Sequence, residues 1–160
     1  MSDEFIPGFR FRSDAHELWA LMVESLRGFE QRASAVAADA GLSVVSAWAL
    51  VQLDPEHPIS QRELATRLHC DPSTVVDPTD RLERSGLIVR RPNPADRRVN
   101  VLTLTARGKA ARKEIVARMF EPPAALRHLS PEDQARFREV MLDVVRRPDA
   151  QAGRGRVKRA

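Results

Sequence analysis

The chain has 160 residues, which is enough for one compact domain or for one core with helical extensions. Its single cysteine excludes an intrachain disulfide, and the absence of tyrosine excludes a ligand pocket rich in that residue. No stretch approaches the roughly 20 apolar residues of a membrane span, and residues 1–14 contain no apolar run of signal-peptide length. We therefore expect a cytoplasmic protein that does not contact a membrane.

The positive charge is concentrated at the C-terminus. The formal net charge is +4, yet residues 146–160 contain six lysine and arginine residues against one aspartate, so the rest of the chain is close to neutral. We predict that residues 148–160 form a disordered basic tail. This tail is either a solvated terminus or an arm that binds phosphates and adds salt-dependent affinity.

Two helices are predicted in the first third of the chain. Apolar residues recur at helical spacing over residues 13–39, where Ser13 can cap the start and Gly41 can end the helix. A second helix is predicted over residues 42–53, and the proline-containing segment 54–58 breaks it. The side chains that we expect to face inward are Leu18, Trp19, Met22, Leu26 and Phe29 in the first helix and Val44, Val45, Trp48 and Val51 in the second.

Two short capped helices follow, with a tight turn between them. Ser60 and Glu63 form an S-x-x-E capping box at the start of the first helix. Asp71 is a favourable N-cap for the second helix, Pro72 fits its first position, and Gly86 can end it. This spacing predicts a helix-turn-helix.

The second of these helices has the features of a recognition helix. Ser73 and Thr74 lie in its first turn, which is the part that meets base edges and phosphates. Its later turns carry Arg81 and Arg84. The side chains that we expect to pack inward are Val75, Val76 and Leu82.

A β-hairpin is predicted next. Residues 87–91 and 99–104 alternate as strands, and Pro92 and Pro94 stiffen the tip between them. Asp96 can hold an arginine of the tip by a charge-assisted hydrogen bond. A rigid basic tip suits the narrow, electronegative minor groove of duplex DNA. The order of helix, turn, helix and hairpin therefore indicates a winged helix-turn-helix that reads duplex DNA.

Residues 60–105 resemble the winged helix-turn-helix of the MarR family of bacterial transcription regulators. Family members also carry a long N-terminal helix and two long C-terminal helices that form a dimer, and residues 13–39, 105–119 and 130–146 fill these places here. The resemblance rests on Ser60-Gln61-Arg62-Glu63-Leu64-Ala65, Ser73-Thr74-Val75, Asp80-Arg81-Leu82-Glu83, Gly86-Leu87, Asp96-Arg97-Arg98 and Leu104-Thr105.

The resemblance implies a mainly α fold with a small β-wing and with long dimerisation helices at both ends. Residues 1–41 would form an N-terminal arm and dimerisation helix, residues 42–105 the DNA-binding lobe, and residues 106–147 the C-terminal dimerisation helices. It also implies a homodimeric repressor that binds a pseudo-palindromic operator on double-stranded DNA. A small aromatic or anionic effector would modulate this binding.

Motif and resemblance together name the candidate site residues. Arg98 takes the role of the wing tip in the minor groove, and the family's ligand pocket lies between the dimerisation helices and the DNA-binding lobe. The effector candidates are His16, Trp19 and Trp48, although both tryptophans could be core residues and His16 a surface residue. The DNA-binding candidates are Ser60, Gln61, Pro72, Ser73, Thr74, Asp77, Arg81, Arg91, Asp96, Arg97 and Arg98.

Pro78 departs from the pattern of a recognition helix. Proline in a helix interior costs about 3 kcal/mol, and it disfavours helical geometry at the preceding residue, Asp77. Asp77 also places negative charge where the family often presents a DNA-facing residue. We predict a bend or one irregular turn between Thr74 and Pro78, with the helix resuming by Asp80. Either packing tolerates the kink, or DNA binding is weakened and the chain is a dimeric interaction protein.

A redox sensor and an enzyme are the remaining alternatives. The oxidant-sensing cysteine of some MarR relatives lies near the start of the first long helix, whereas Cys70 lies in the predicted turn, where a half-buried structural thiol is the simpler interpretation. The sequence has no Gly-rich phosphate loop, nucleophile elbow or paired-carboxylate motif, and its four histidines lack metal-ligand spacing. We expect neither catalysis nor a cofactor or metal.

Overall fold

The computed structural model describes residues 10–93 and 96–146, which are mainly helical with a small antiparallel sheet. The predicted basic tail, Pro94 and residues 1–9 of the predicted N-terminal arm lie outside the described residues. A 3-10 turn at Pro72–Val75 precedes the fourth helix. The elements in chain order are α1 (Asp14–Asp39), α2 (Val44–Gln52), β1 (Ile59–Ser60), α3 (Gln61–Arg67), α4 (Val76–Arg84), β2 (Ile88–Pro92), β3 (Asn100–Leu104), α5 (Ala106–Met119), α6 (Ala124–Arg127) and α7 (Pro131–Arg146).

The chain divides into two compact units, Met1–Phe120 and Glu121–Ala160. The first unit holds α1 to α5, the sheet and every buried side chain of the described residues. The second holds α6 and α7, neither of which has a buried side chain. The sequence did not predict α6, because four residues are too few to show a helical period.

α1 begins and ends where the sequence predicted. Ser13 caps the first turn with its side-chain oxygen. At the other end Gly41 has a φ of 68°, in the left-handed region that glycine adopts without strain. The N–H of Gly41 donates to the carbonyl of Ala38 at 2.9 Å, and the N–H of Leu42 donates to that of Ala37 at 2.9 Å. These two bonds satisfy the last carbonyls of the helix and turn the chain towards α2.

The same pair of terminal bonds ends α3, but without glycine. The N–H of His69 donates to the carbonyl of Thr66 at 3.1 Å, and the N–H of Cys70 donates to that of Ala65 at 3.0 Å. His69 has a φ of 51°, which is the one positive φ of a non-glycine residue among those described. The turn of the helix-turn-helix therefore holds an L-residue in a strained backbone conformation.

α2 lies at the centre of the core, and its buried face differs from the prediction. Ser43 caps the helix, which begins at Val44 and not at residue 42. Val44 and Val45, which were predicted to face inward, are 37% and 51% exposed. A helix with apolar residues all round gives no clear period, so the sequence could not select its buried side. The buried residues of α2 are Ser46, Ala47, Ala49, Leu50 and Val51.

The three strands form one antiparallel sheet in the order β1-β3-β2. The hairpin of β2 and β3 was predicted, but β1, with only two residues, was not. Ile59 pairs with Leu102 and Ser60 with Val101, so β1 joins the start of α3 to the base of the wing. The backbone hydrogen bonds of the sheet thus connect the start of α3 to the hairpin of β2 and β3.

The start of α5 is bonded to the end of α4. The Thr105 hydroxyl caps α5 by accepting from the N–H of Gly108 at 2.9 Å, and it also donates to the carbonyl of Gly86 at 2.8 Å. Gly108 is buried against β2, and a Cβ added there would lie 1.8 Å from the carbonyl oxygen of Leu87. Only glycine allows this close approach of helix and strand.

Two helical faces carry large apolar side chains that remain exposed in this chain. On α1 only Met22 and Phe29 of the predicted inward stripe are even half-buried, and Trp19 is 62% exposed. α7 likewise has no buried residue. The exposed apolar side chains are Leu18, Trp19, Leu21, Val23 and Leu26 on α1 and Phe137, Val140, Val144 and Val145 on α7.

The apolar content of α1 and α2 does not amount to a membrane-spanning helix. Within residues 10–93 and 96–146, no single helix is long and apolar enough to cross a membrane. The two helices reach the necessary length and composition only as a pair, and that pair is bent by 89° at its break.

The close approach at Gly108 generates a stability prediction. Gly108→Ala should lower the free energy of unfolding by about 2–3 kcal/mol, because α5 must move away from the Leu87 carbonyl. Gly28→Ala is the matched control, since a Cβ there has nothing within 4 Å, and it should raise stability by about 0.5–1 kcal/mol. Urea denaturation of both variants measures the difference. Equal stability of Gly108→Ala and the unmodified chain would contradict this packing.

Candidate nucleic-acid interface

The recognition helix begins with an irregular turn. Residues Pro72–Val75 form a 3-10 helix, and regular α-helix begins at Val76. The sequence predicted an irregular turn between Thr74 and Pro78, with helix resuming by Asp80. The irregular turn lies earlier than predicted, and helix has indeed resumed before Asp80. The prediction was right about the irregularity and wrong about its position.

The early restart of the helix removes the conflict at Pro78. Pro78 is the third residue of α4, where backbone N–H groups have no partner within the α-helix, so a missing donor costs little. The expected position inside a regular helix is therefore wrong. The ring of Pro78 is buried, as is the next residue, Thr79, whose hydroxyl donates to the Val75 carbonyl at 2.8 Å. This bond supports the junction between the two kinds of helix.

The candidate DNA-contacting residues of this helix lie together on its exposed side. Val75, Pro78, Thr79 and Leu82 form the buried side. Val76 was predicted to pack inward, but its side chain is 45% exposed, because the 3-10 turn changes the angular position of the residues that follow. The exposed candidates are Pro72, Ser73, Thr74, Asp77 and Arg81.

Two of these candidates are bonded to each other. The Nε of Arg81 lies 2.9 Å from a carboxylate oxygen of Asp77, one helical turn earlier. The negative charge that Asp77 places on this surface is therefore paired within the helix. Arg84, on the next turn, is exposed and makes no ion pair in the part of the chain that the structure describes.

Thr79 joins α3 to α4 through its hydroxyl. It accepts a hydrogen bond from the side-chain amide of Gln61 at 2.8 Å and another from the guanidinium of Arg90 at 3.0 Å. Gln61 was a DNA-binding candidate, and one N–H of its amide is used inside the fold. Ser60, a second candidate, caps α3 by accepting from the N–H of Glu63 at 3.1 Å. The sequence showed the Ser60 cap but not the role of Gln61.

Arg90 clamps the wing onto the recognition helix, and the sequence did not single it out. Its guanidinium pairs with Asp80 and Glu83 on α4 and bonds to Thr79, and its backbone N–H donates to Glu83 at 3.1 Å. Burial disfavours the cation, but the hydrogen bonds and charges of Asp80 and Glu83 outweigh it and raise the pKa of Arg90. The sequence shows that Asp80 and Glu83 lie on one face of the helix. It does not show that their partner is Arg90, on the following strand.

The tip of the wing is organised by Asp96. Its side chain accepts from the backbone N–H of Arg98 at 3.0 Å, and its carbonyl accepts from the N–H of Val99 at 3.0 Å. Asp96 therefore holds Arg98 through the backbone N–H of the turn, and it makes no ion pair with an arginine side chain among the described residues. Arg97 and Arg98 are exposed, as is Arg91 on β2, and none of the three makes an ion pair among the described residues.

Known proteins of similar sequence and structure are transcription regulators. The profile of the MarR family matches residues 42–99. The HTH-type transcriptional repressor MdtR of Bacillus subtilis (strain 168) is 35% identical over 77 residues, which are 48% of this chain and 50% of that protein. The repressor CouR, bound to a 23-mer DNA duplex, is 30% identical with a TM-score of 0.62, over 88% of this chain and 100% of that chain.

The chain belongs to the MarR family. A further structure, of CouR from Rhodococcus jostii RHA1 bound to p-coumaroyl-CoA, has a TM-score of 0.65 and is 24% identical over 86% of this chain and 97% of that chain. This MarR-family transcription regulator thus has the mainly helical winged-helix fold that the sequence predicted. The curated relative is matched over only half of its length.

The MarR-family resemblance pointed to three effector candidates, and the structure does not bring them together. Trp48 on α2 packs against Phe29 at a ring distance of 6.0 Å and against Phe120 at 6.0 Å. His16 instead contacts the ring of Phe11, at 5.7 Å. Trp19 is ten residues before Phe29 on α1, or about 15 Å along the axis. Trp48 thus belongs to an aromatic cluster, which we define as Phe29, Trp48 and Phe120.

A cavity of about 340 Å³ lies between the ends of α1 and α4 and the length of α5. An ion pair of Asp39 and Arg118 closes one side, and the hydrogen bond to Asp39 raises the pKa of Arg118. Arg107 also lines the cavity and makes no ion pair within the described ranges. The site is polar and adjoins the last residue of the recognition helix.

Cys70 has the position predicted for it. It is half-buried after α3 and packs against the core as a free thiol. No group of three or more potential metal ligands occurs in residues 10–93 and 96–146.

The clamp at Arg90 generates a second prediction. Arg90→Ala should lower the free energy of unfolding by about 2 kcal/mol, because Asp80 and Glu83 lose their hydrogen-bonded partner while remaining partly exposed to water. Arg91→Ala, at the next position of the same strand, should change stability by less than about 0.5 kcal/mol. Thermal and urea denaturation compare the two. Similar losses for both variants would show that the clamp does not stabilise the lobe.

A third prediction concerns Pro78. Because it occupies the first turn of α4 and its ring is buried, Pro78→Ala should lower stability by about 1–2 kcal/mol through lost apolar contact. A proline inside a regular helix would give the opposite sign, a gain approaching 3 kcal/mol. The sign of the change in a urea titration separates the two arrangements.

Proposed function

We propose that this MarR-family regulator is a cytoplasmic homodimer that represses transcription by binding a pseudo-palindromic operator. The exposed surface of the winged helix carries the proposal. Its recognition helix presents polar side chains, and Arg91, Arg97 and Arg98 form a basic wing that no carboxylate of the described residues neutralises. Cations without internal partners are available to phosphates. CouR, at 30% identity over all of its length, was solved with duplex DNA.

In this proposal the two parts of the surface have different tasks. Ser73, Thr74 and Arg81 enter the major groove, where base pairs present distinct donor and acceptor patterns. Arg98 enters the minor groove at the wing tip, held there by the Asp96 turn. Ser60 and Gln61 stabilise this arrangement through the cap of α3 and the bond to Thr79, and their contact with DNA stays a prediction. Catalysis has no part in this function.

The exposed apolar faces of α1 and α7 support a dimer. Nine large apolar side chains on these helices are exposed, from Leu18 to Val145, and patches of this kind are typical of interfaces. A two-fold dimer would present two recognition helices about 34 Å apart, which is one turn of duplex DNA. A dimer of this kind would cover the exposed helices and would favour an operator with two-fold symmetry.

A small effector would lower operator affinity by favouring a dimer geometry with the wrong helix spacing. The aromatic cluster offers ring contacts, and the cavity beside Arg107 offers a cation, so an aromatic or anionic compound fits the chemistry. CouR was solved with p-coumaroyl-CoA, which has both features. His16 and Trp19 stay predictions for this role, whereas Trp48 belongs to the aromatic cluster that offers the ring contacts. Failure of p-coumaroyl-CoA and of simple aromatic acids to release a bound duplex would count against this part.

Weakened DNA binding and redox sensing are less well supported. The irregular turn absorbs Pro78 at the start of α4, so the proline no longer argues for a damaged recognition helix. Cys70 is half-buried in the turn, away from the outward side of the recognition helix. A gel shift with the intergenic DNA upstream of the chain's own gene separates a repressor from a dimer that does not bind DNA.

The wing generates a fourth prediction. Arg98→Ala should weaken binding to operator and to unrelated duplex alike, and it should reduce the slope of log K against log salt by about one unit. Lys113→Ala, an exposed cation on α5, is the control and should leave the slope unchanged. Fluorescence anisotropy at several salt concentrations gives both quantities. An unchanged slope for Arg98→Ala would remove the wing tip from the interface.

The fifth prediction concerns the dimer. Sedimentation at micromolar concentration should show a dimer, and Val144→Asp on α7 should shift it towards monomer, because a buried unpaired charge is unfavourable. Val99→Asp, which changes an exposed valine near the wing tip, should leave the dimer intact. A monomeric unmodified chain, or equal dissociation in both variants, would rule out an interface built from α7.

A further inference from the structure

The ion pair of Asp77 and Arg81 is not explained by the stability of the fold. Both side chains are more than half exposed, at 67% and 57% respectively. Exposed pairs at this spacing contribute at most about 1 kcal/mol, and often nothing measurable. An aspartate on a surface that faces phosphates would moreover repel them. The place of the pair among the candidate DNA-contacting residues points instead to a role in DNA recognition.

The atoms of the pair define what remains available on Arg81. The Asp77 carboxylate accepts from Nε, at 2.9 Å. Both terminal amino groups of the guanidinium are then left without an acceptor among the described residues. Two parallel N–H donors match the O6 and N7 acceptors that guanine presents in the major groove. An arginine without such a restraint can equally well bind a phosphate, which carries no sequence information.

The start of α4 at Val76 fixes the geometry of the ion pair. Because α4 starts at Val76, Asp77 lies in its first turn, where the helix dipole favours a carboxylate. Arg81 follows four residues later in regular α-helix, on the side away from the buried residues Val75 and Leu82. The carboxylate thus sits between the start of the helix and the base of the arginine.

We propose that Asp77 is a positioning residue that directs the Arg81 guanidinium to one guanine in each operator half-site. This inference rests on the proposed operator binding and deepens it by naming a determinant of base preference. The pair has no net charge, so it contributes to specificity and little to salt-dependent affinity. Asp77 acts through Arg81, because its carboxylate holds the long arginine side chain in one orientation.

Selection of binding sites from a random duplex library tests the proposal, with the unmodified chain, Asp77→Ala, Asp77→Glu and Arg81→Ala. Affinities are then measured for the selected site with each base at the guanine position. The unmodified chain should prefer guanine there by about tenfold, the size of one bidentate contact. Asp77→Ala should reduce this preference to twofold or less while binding unrelated duplex at least as tightly. Asp77→Glu should restore part of the preference.

Two comparisons separate positioning from simple repulsion. In the Arg81→Ala background, Asp77→Ala should cause no further change of base preference, because the residue that it positions is absent. Glu63→Ala is the matched control, since Glu63 pairs with Arg67 at the same spacing and at 2.9 Å, but on α3. It should change affinity equally for all duplexes and leave the guanine preference intact.

The outcomes distinguish this inference from the function on which it rests. Full guanine preference in Asp77→Ala, or an equal gain of affinity for every duplex, would overturn the positioning role alone and leave operator binding in place. An unmodified chain that selects no common sequence would overturn the proposed operator binding, and the inference with it. Thermal denaturation of each variant confirms that a changed preference does not come from unfolding.

Discussion

The contact of Arg90 with the recognition helix is the interaction on which the DNA-binding surface depends. A wing on a two-stranded hairpin has no fixed angle of its own, and a helix of nine residues is too short to be stable alone. Arg90 joins them through Asp80, Glu83 and Thr79, and the Thr79 hydroxyl extends the connection to Gln61 on α3. Three elements of the proposed DNA-binding surface are thereby held by one network of charge-assisted and neutral hydrogen bonds.

The recognition helix shows how a local rule is satisfied by moving a boundary. Proline is unfavourable inside a helix, yet the core needs Val75 and Leu82 on one buried side. A 3-10 turn before Val76 meets both needs, because it carries Val75 inward and leaves Pro78 in the first turn of regular helix. The same 3-10 turn places Val76 and Asp77 on the exposed side of the helix.

The sequence predicted those features that depend on neighbouring residues. The caps at Ser13 and Ser60 and the helix end at Gly41 are local, and all three are present in the structure. Asp71 was also predicted as a cap, but it precedes the 3-10 turn without a side-chain cap hydrogen bond. The MarR resemblance placed the wing and the order of helices correctly. Features that depend on distant residues were missed, among them the pairing of β1 with β3 and the buried side of α2. When a helix such as α2 is apolar on all sides, the spacing of its apolar residues does not show which face will be buried.

The candidate site likewise combines features that local motifs predicted with features that depend on distant residues. The basic wing and the outward side of the recognition helix could be read from motifs, whereas the internal role of Gln61 and the aromatic cluster around Trp48 depend on tertiary packing. The effector candidates His16, Trp19 and Trp48 came from the position of the ligand pocket in the family. Trp48 packs against Phe29, whereas His16 and Trp19 lie at least ten residues earlier on α1.

The left-handed backbone at His69 has a consequence for how this regulator can evolve. An L-residue in that conformation costs about 1–2 kcal/mol, and glycine would remove most of the cost. The position lies in the turn and outside the exposed side of the recognition helix. A single replacement there would supply a margin of stability comparable to the loss that an average substitution causes. New base preferences could then be explored on the recognition helix without unfolding the lobe that carries it.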